Sequence, residues 1–524
     1  MSVPPIQRFI VHRVHQAPPA SRMSICHGRP HFSPLGIPYA GNVGTVDTGA
    51  AGILVSYLTR GRSGAAGTGP NEKLAARIHG RPRGSNPAAG DDHDGIVGLT
   101  GARGTMGRDV RPGIDQLVQT ITWNQTFAAL RHRNYRLWFI GQLVSLLGSW
   151  MQVTAQGFLV FQLTHSPAYL GYVGFAGGVP TWLFTLYGGV VADRISRRTL
   201  MIITQTSMMI LALLLAALTF LDLVRPWHIL VLAFCLGVAN AFDAPARQAF
   251  VTDMVPPEDL TNAIALNAAM FHAATTTGPA AAGVTYALFG PAWCFTVNGI
   301  SFIAIIVALM MMRLPHLPKP VTRQPAFREL REGIHHAVAD PIIRTLVIIV
   351  GMTSWFGISL TTLIPAWAVK ILKGDATTNG LLLSARGIGS LGGALLIATL
   401  GRFPVKGRLL SLGMFGFPLC LLAFAFAHQV PLSLLFILGV GMGLILVLNL
   451  ANALVQTLTP ESLRGRVMSV YMMTFFGLMP IGSMWIGMLA EHFGEGPAVV
   501  INGLLALLFA AAVWAAVPKL RTQQ

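Results

Sequence analysis

The sequence predicts an all-α integral membrane protein, with twelve transmembrane helices in two six-helix bundles related by pseudo-symmetry. Three observations predict it. Of 524 residues, 53% are hydrophobic and only 11% are charged, whereas soluble domains carry about 25% charged residues. From Arg136 onward, apolar runs of about 20 residues recur, each enough to cross a ~30 Å hydrocarbon core at ~1.5 Å per residue. Landmarks in the first six runs return in the second six at an offset of a little over 200 residues.

The composition also excludes. A soluble protein of this size covers its surface with polar groups, and there are too few here for a cytosolic enzyme, a disordered chain or a secreted scaffold. Cys26, Cys235, Cys294 and Cys420 lie far apart with no C-x-x-C pair, so neither a disulfide framework nor a metal site is indicated. No P-loop sequence and no hydrolytic motif is present, so no cofactor and no enzymatic activity are expected. A net charge of +17 raises nucleic acid as a partner. The placement of that charge argues against it.

Residues 1–122 read as a Gly/Pro/Arg-rich extension that cannot bury enough apolar surface to order itself. Met106 is an alternative start, in which case the extension is not native protein. Residues 123–312 form the expected first bundle, with spans near 137–162, 168–191, 199–221, 227–249, 262–289 and 291–312. Residues 313–341 read as a cytoplasmic linker, with an amphipathic helix from Phe327 to Ala339 on the membrane face. Residues 342–520 form the second bundle, with spans near 343–369, 377–400, 408–428, 431–456, 466–490 and 497–517. With the N-terminus inside, the cytoplasmic segments hold twenty Lys and Arg. The outer loops hold three, Arg225, Lys370 and Lys373. That asymmetry is a topology signal and places both core termini in the cytoplasm, with the protein in the inner (plasma) membrane.

The repeat has specific landmarks. Pro257-Glu258-Asp259-Leu260 matches Pro460-Glu461-Ser462-Leu463. Gly290-Pro291-Ala292 matches Gly496-Pro497-Ala498, and Asn298-Gly299 matches Asn502-Gly503. Parallel halves of this kind enclose a binding site near the bilayer midplane.

After the second span comes Gly189-Val190-Val191-Ala192-Asp193-Arg194-Ile195-Ser196-Arg197-Arg198. This stretch resembles the loop motif between helices two and three of the major facilitator superfamily, departing at Ser196, where the family has glycine. The resemblance covers about residues 127–520 and implies the major facilitator fold. It also implies a gating charge relay of Asp193, Arg194 and Arg197 with Asp243, made in the outward-facing state and broken on reopening inward. Read by themselves, these residues are a basic inner loop with a solvated acid. Gly189 reads as a point of close helix approach. In span five, Thr277-Gly278-Pro279 through Gly283 is similar to the exporter motif of the superfamily, with Pro279 kinking the helix and Gly278 and Gly283 packing closely. Three further blocks, Phe127 to Arg136, Phe242 to Gln248 and Leu463 to Val467, resemble the branch of enterobactin exporters and transmembrane secretion effectors.

Candidate cavity-lining residues follow from polarity inside spans. Ser149, Gln152 and Gln156 share one face of span one, and Asn449 and Asn452 share one face of span ten. These rows serve either the pathway or interhelical hydrogen bonding. Arg386 in mid-span eight is positioned either for an anionic substrate group or for helix carbonyls. His272 in span five is a candidate proton carrier or a packing residue. No Asp or Glu sits in the middle of a span. The expected function is secondary export of a small amphiphilic molecule (a drug, macrolide or siderophore-like compound) by alternating access. The proton as coupling ion is implied by the resemblance alone. Uptake is the alternative, followed by a non-transporting membrane binding protein. The expected partners are a small-molecule substrate and membrane lipid, not nucleic acid, with a monomer as the working unit.

Overall fold

A computed structural model describes residues 127–313, 326–400 and 406–522. The predicted extension over 1–122 lies outside the described residues, as do 314–325 of the linker. All described residues belong to one unit, Val46–Gln524. They form helices and no strands. The first half comprises α1 (Arg133–Thr164), α2 (Pro167–Arg194), α3 (Arg197–Phe220), α4 (Pro226–Phe250), α5 (Leu260–Phe289) and α6 (Pro291–Met311). After the surface helix α7 (Ala326–Ala339), the second half begins with α8 (Pro341–Thr353) and α9 (Leu360–Ala366), which form one span through a π-helical turn at Ser354–Ile358. A second π-turn, Trp367–Ile371, closes that span. Then follow α10 (Ala376–Leu400), α11 (Lys406–Ala425), α12 (Val430–Leu458), α13 (Arg464–Phe493) and α14 (Glu495–Ala516).

Local chemistry sets the boundaries. Ser166 caps α2 by accepting from the Tyr169 amide, with Pro167 at the first helical position, where proline's missing N–H is not needed. Asp340 accepts from the amides of Ile342 and Ile343 at 2.8 and 3.0 Å and starts α8. Gly290 and Gly494 end α5 and α13 with φ of 88° and 87°, a conformation that favours glycine. Gly494, rather than the Gly496 matched from sequence, is therefore the counterpart of Gly290. It shares the offset that relates Asn298 to Asn502.

Ten of the twelve spans are long and apolar enough to cross a membrane by length and composition. The other two, α2 and α5, have the length at 28 and 30 residues. In α5 the hydropathy is lowered by Asn262, Asn267, His272, Thr275, Thr276 and Thr277. The α7 helix docks on the start of α13. The Arg466 carbonyl crowds the position a Cβ at Gly333 would take, and Arg466 Nη1 pairs with Glu332 at 2.7 Å.

The halves meet along two helix pairs, α2 with α13 and α5 with α10. Gly171 meets Gly487, and a Cβ on Gly487 would stand 2.9 Å from the Gly171 Cα. Gly380 faces the Pro279 carbonyl and Gly283, whose own Cβ would stand 2.9 Å from the Ala376 carbonyl. The same offset of a little over 200 positions carries Gly171 to Gly380 and Gly283 to Gly487. The repeat in the sequence thus becomes a pair of exchanged seams in space.

Candidate functional site

The seams close at one end only. Gly171 and Gly189 are five helical turns apart on α2 and share a face. Gly171, Gly174 and Gly178 are covered by Gly487, Ser483 and Pro480 of α13, whereas among the described residues nothing beyond its own helix comes within 4 Å of the Cβ position at Gly189. Gly465, at the start of α13, is equally open. Among the described residues, none makes the expected close approach at Gly189 in this conformation. One residue earlier and 100° around the helix, Gly188 abuts the Ala241 carbonyl of α4 instead. On the α5–α10 seam, the close approaches run from Gly283 to Thr275 and Thr276 opposite Gly387. Among the described residues, the halves are thus joined at the end away from the arginine-rich loops and parted at the end that carries them.

The joined end is also latched by polar groups. Glu491 Oε2, near the end of α13, accepts from Ser166 Oγ at 2.7 Å and from the Ala168 amide at 3.2 Å, at the N-terminus of α2. A carboxylate is favoured there by the helix dipole. Lys370 Nζ lies 5.6 Å from the centre of the Phe161 ring of α1 and pairs with Glu495 at 2.7 Å. Sequence reading missed Glu491, because an acid beside a span end carries no signal until its partner 325 residues away is placed.

At the parted end Arg197 and Asp243 have separate partners. Arg197 Nη1 pairs with Asp253 at 2.7 Å and donates to the Ala249 carbonyl at 3.0 Å. Asp243 is buried and accepts from Thr204 Oγ1 and Gln205 Nε2, both at 2.9 Å. Its cation is Arg247, one turn on, at 3.4 Å. Arg197 and Asp243 are thus separately occupied in this conformation, Arg197 by the acid that the turn Val251–Asp253 delivers. Arg194 is exposed, and the Asp193 side chain lies outside the described residues. Ser196, where the family motif has glycine, caps α3 by accepting from the Thr199 amide at 3.1 Å. Nearby, His132 and Asp259 meet at 2.7 Å.

The polar rows divide. Gln152 is buried and accepts from Asn298 of α6 at 2.7 Å, so it joins helices within the first half rather than lining the space between halves. Ser149 donates to the Ser145 carbonyl of its own helix at 2.9 Å, and Gln156 is buried. Asn452 accepts from Gln456 at 2.7 Å. Asn449 is buried with Oδ1 unpaired. Arg386 has a sequestered Nε without an acceptor. His272 is half-buried one turn before Thr276. Gly278 packs on Trp150 of α1, Gly283 packs on α10, and Pro279 lies inside α5, which continues to Phe289.

Residues 124–524 match the transmembrane secretion effector family. The staphyloferrin A transporter of Staphylococcus aureus is 24% identical over 375 residues, covering 70% of this chain and 92% of its own. The multidrug efflux pump Tap of Mycolicibacterium fortuitum is 27% identical over 389 residues, covering 71% and 93%. The enterobactin exporter of Salmonella choleraesuis is 24% identical over 400 residues, covering 74% and 95%. Among solved structures, a bacterial homologue of the lysosomal transporter Spinster superposes with a TM-score of 0.60 at 14% identity, over 75% of this chain and 98% of that one. That likeness establishes the fold.

Proposed function

Because the chain belongs to the transmembrane secretion effector family, within the major facilitator superfamily, we propose that it exports a small amphiphilic molecule from the cytoplasm by alternating access. Its relatives are multi-pass membrane transporters and not enzymes. The observation that carries the reading is the contrast between Gly171, closed against Gly487, and Gly189, open on the same helix face. With the arginine-rich loops assigned to the cytoplasm of an inner-membrane protein, this conformation is open inward and shut outward. Closing the basic end while unlatching Glu491 from Ser166 produces the opposite state.

Export rather than uptake is supported by the names of the relatives, which are efflux pumps and exporters. Their cargoes differ, so the substrate is taken here only as a small amphiphile. Proton coupling is proposed on family grounds. Deletion of the gene, followed by mass spectrometry of cells and medium, tests the direction. An exported compound accumulates inside and disappears from the medium, while the reverse pattern indicates uptake. A pH gradient imposed on everted vesicles tests the coupling, and flux indifferent to it removes the proton.

A further inference from the structure

We propose that Arg386 is the anion-binding residue of the substrate site, and that the exported compound carries a carboxylate or another oxyanion. The inference rests on the export reading and narrows it. Arg386 is the eleventh of 25 residues in α10, so it stands near the middle of the bilayer, where an unpaired charge is costly. Leu381, Ile388 and Leu395 are exposed and mark the face of α10 turned away from the protein. Gly380 and Gly387 mark the face packed on α5, and Gly389 the face packed on α12. At 100° per residue, Arg386 points about 160° away from Ile388, to the inward side of the helix.

Arg386 Nε is buried without an acceptor, and among the described residues no carboxylate pairs with it. The residue keeps partial exposure as a whole, while its charged group is deeply buried. The Arg386 backbone is pinned, since its carbonyl abuts Gly441 of α12 and accepts from Ser390 Oγ at 3.0 Å. Beside it, at the seam, Thr276 Oγ1 lies against Gly387 and is buried with no partner. It supplies a second polar group at the same depth.

Charge balance sets the class of ligand. Of the described carboxylates, only Asp243 lies within a span away from its terminal turns, and Thr204, Gln205 and Arg247 already occupy it. The mid-depth region therefore has one fixed positive charge and no free negative one. A cationic amphiphile meets repulsion there. A carboxylate meets a planar donor pair suited to bidentate binding.

The test uses three probes of one shape and different charge: 1-naphthylacetate, its neutral amide, and 1-naphthylethylammonium. Equilibrium binding is measured on the full chain in phosphatidylcholine nanodiscs. The acid is expected to bind at least about tenfold tighter than the other two, R386Q to erase that preference, and R386K to keep part of it. A second measurement needs no variant: the acid, and not the amide, should slow phenylglyoxal modification of Arg386, read by peptide mass spectrometry. Binding without an acid preference, no binding of any probe, or an acid preference that survives R386Q with no protection of Arg386 overturns the assignment and leaves the export reading standing. Arg386-dependent acid binding in a protein that moves no compound across vesicles overturns the export reading instead.

Discussion

Asn298 of α6 donates its side-chain amide to Gln152 of α1 across 2.7 Å, with both residues buried. Its repeat counterpart Asn502 donates to the Phe356 carbonyl in the corresponding span of the second half. Each Asn is followed by a glycine that admits leucines from another helix of its half, Leu213 at Gly299 and Leu422 at Gly503. The two bundles are therefore locked internally by one repeated device.

Removing that device should loosen a bundle without altering its gates. Asn298→Ala and Asn502→Ala should each cost about 1 kcal/mol, the scale of interhelical hydrogen bonds in membranes. Thermal unfolding in detergent checks this. A double-mutant cycle with Gln152→Ala should return most of the Asn298 loss as coupling energy.

Among the described residues, no other helix approaches Gly189 here, so a side chain at this position is accommodated in the inward-open state and obstructs closure of the basic end. Gly189→Val should leave thermal stability within about 0.5 kcal/mol of wild type and lower flux severalfold or more. Spin-label distances across the basic end should report a population held open.

Arg197 and Asp253 form one unit at 2.7 Å. Arg197→Gln and Asp253→Asn should therefore lower transport to a similar degree, with little further loss in the double variant. Asp243→Ala strands Arg247 and Gln205 and should destabilise the fold by about 3 kcal/mol, which thermal unfolding separates from a flux defect.

The Glu491–Ser166 latch is exposed and sits on the joined end. Glu491→Gln should weaken outward closure by about 1 kcal/mol, shifting the balance toward the outward-open state severalfold. Cysteine accessibility at that end provides the readout.

Asp375 caps α10, accepting from the Thr378 amide at 3.0 Å. That backbone hydrogen bond holds its carboxyl below the ordinary carboxylate range. A depressed native pKa means the stabilisation is present above the unfolded value of about 3.9 and fades as pH falls through the native one. Asp375→Ala should cost about 1 kcal/mol at neutral pH. The gap to wild type should narrow below about pH 4, as followed by thermal unfolding across a pH series.

Much of this was legible from residues alone. Apolar runs gave the spans, because lipid demands length and hydropathy together. Repeated landmarks gave the halves, and the motif around Gly189 and Arg197 gave the family. The pairings were less legible. Asp253 lay in what reads as a loop, and only the three-residue turn after α4 brings it to Arg197. Gln152 and Asn449 look alike on their helices, yet Asn298 takes up the first while Oδ1 of the second stays unpaired. Polarity within a span shows that a group must find a partner, and tertiary packing decides which one.

The vacancy before Gly189 bears on how variants of this chain are ranked. A screen that scores only abundance or melting temperature would pass a bulky residue at that position. A turnover assay would reject it, since the requirement for smallness belongs to a shape the resting molecule does not hold.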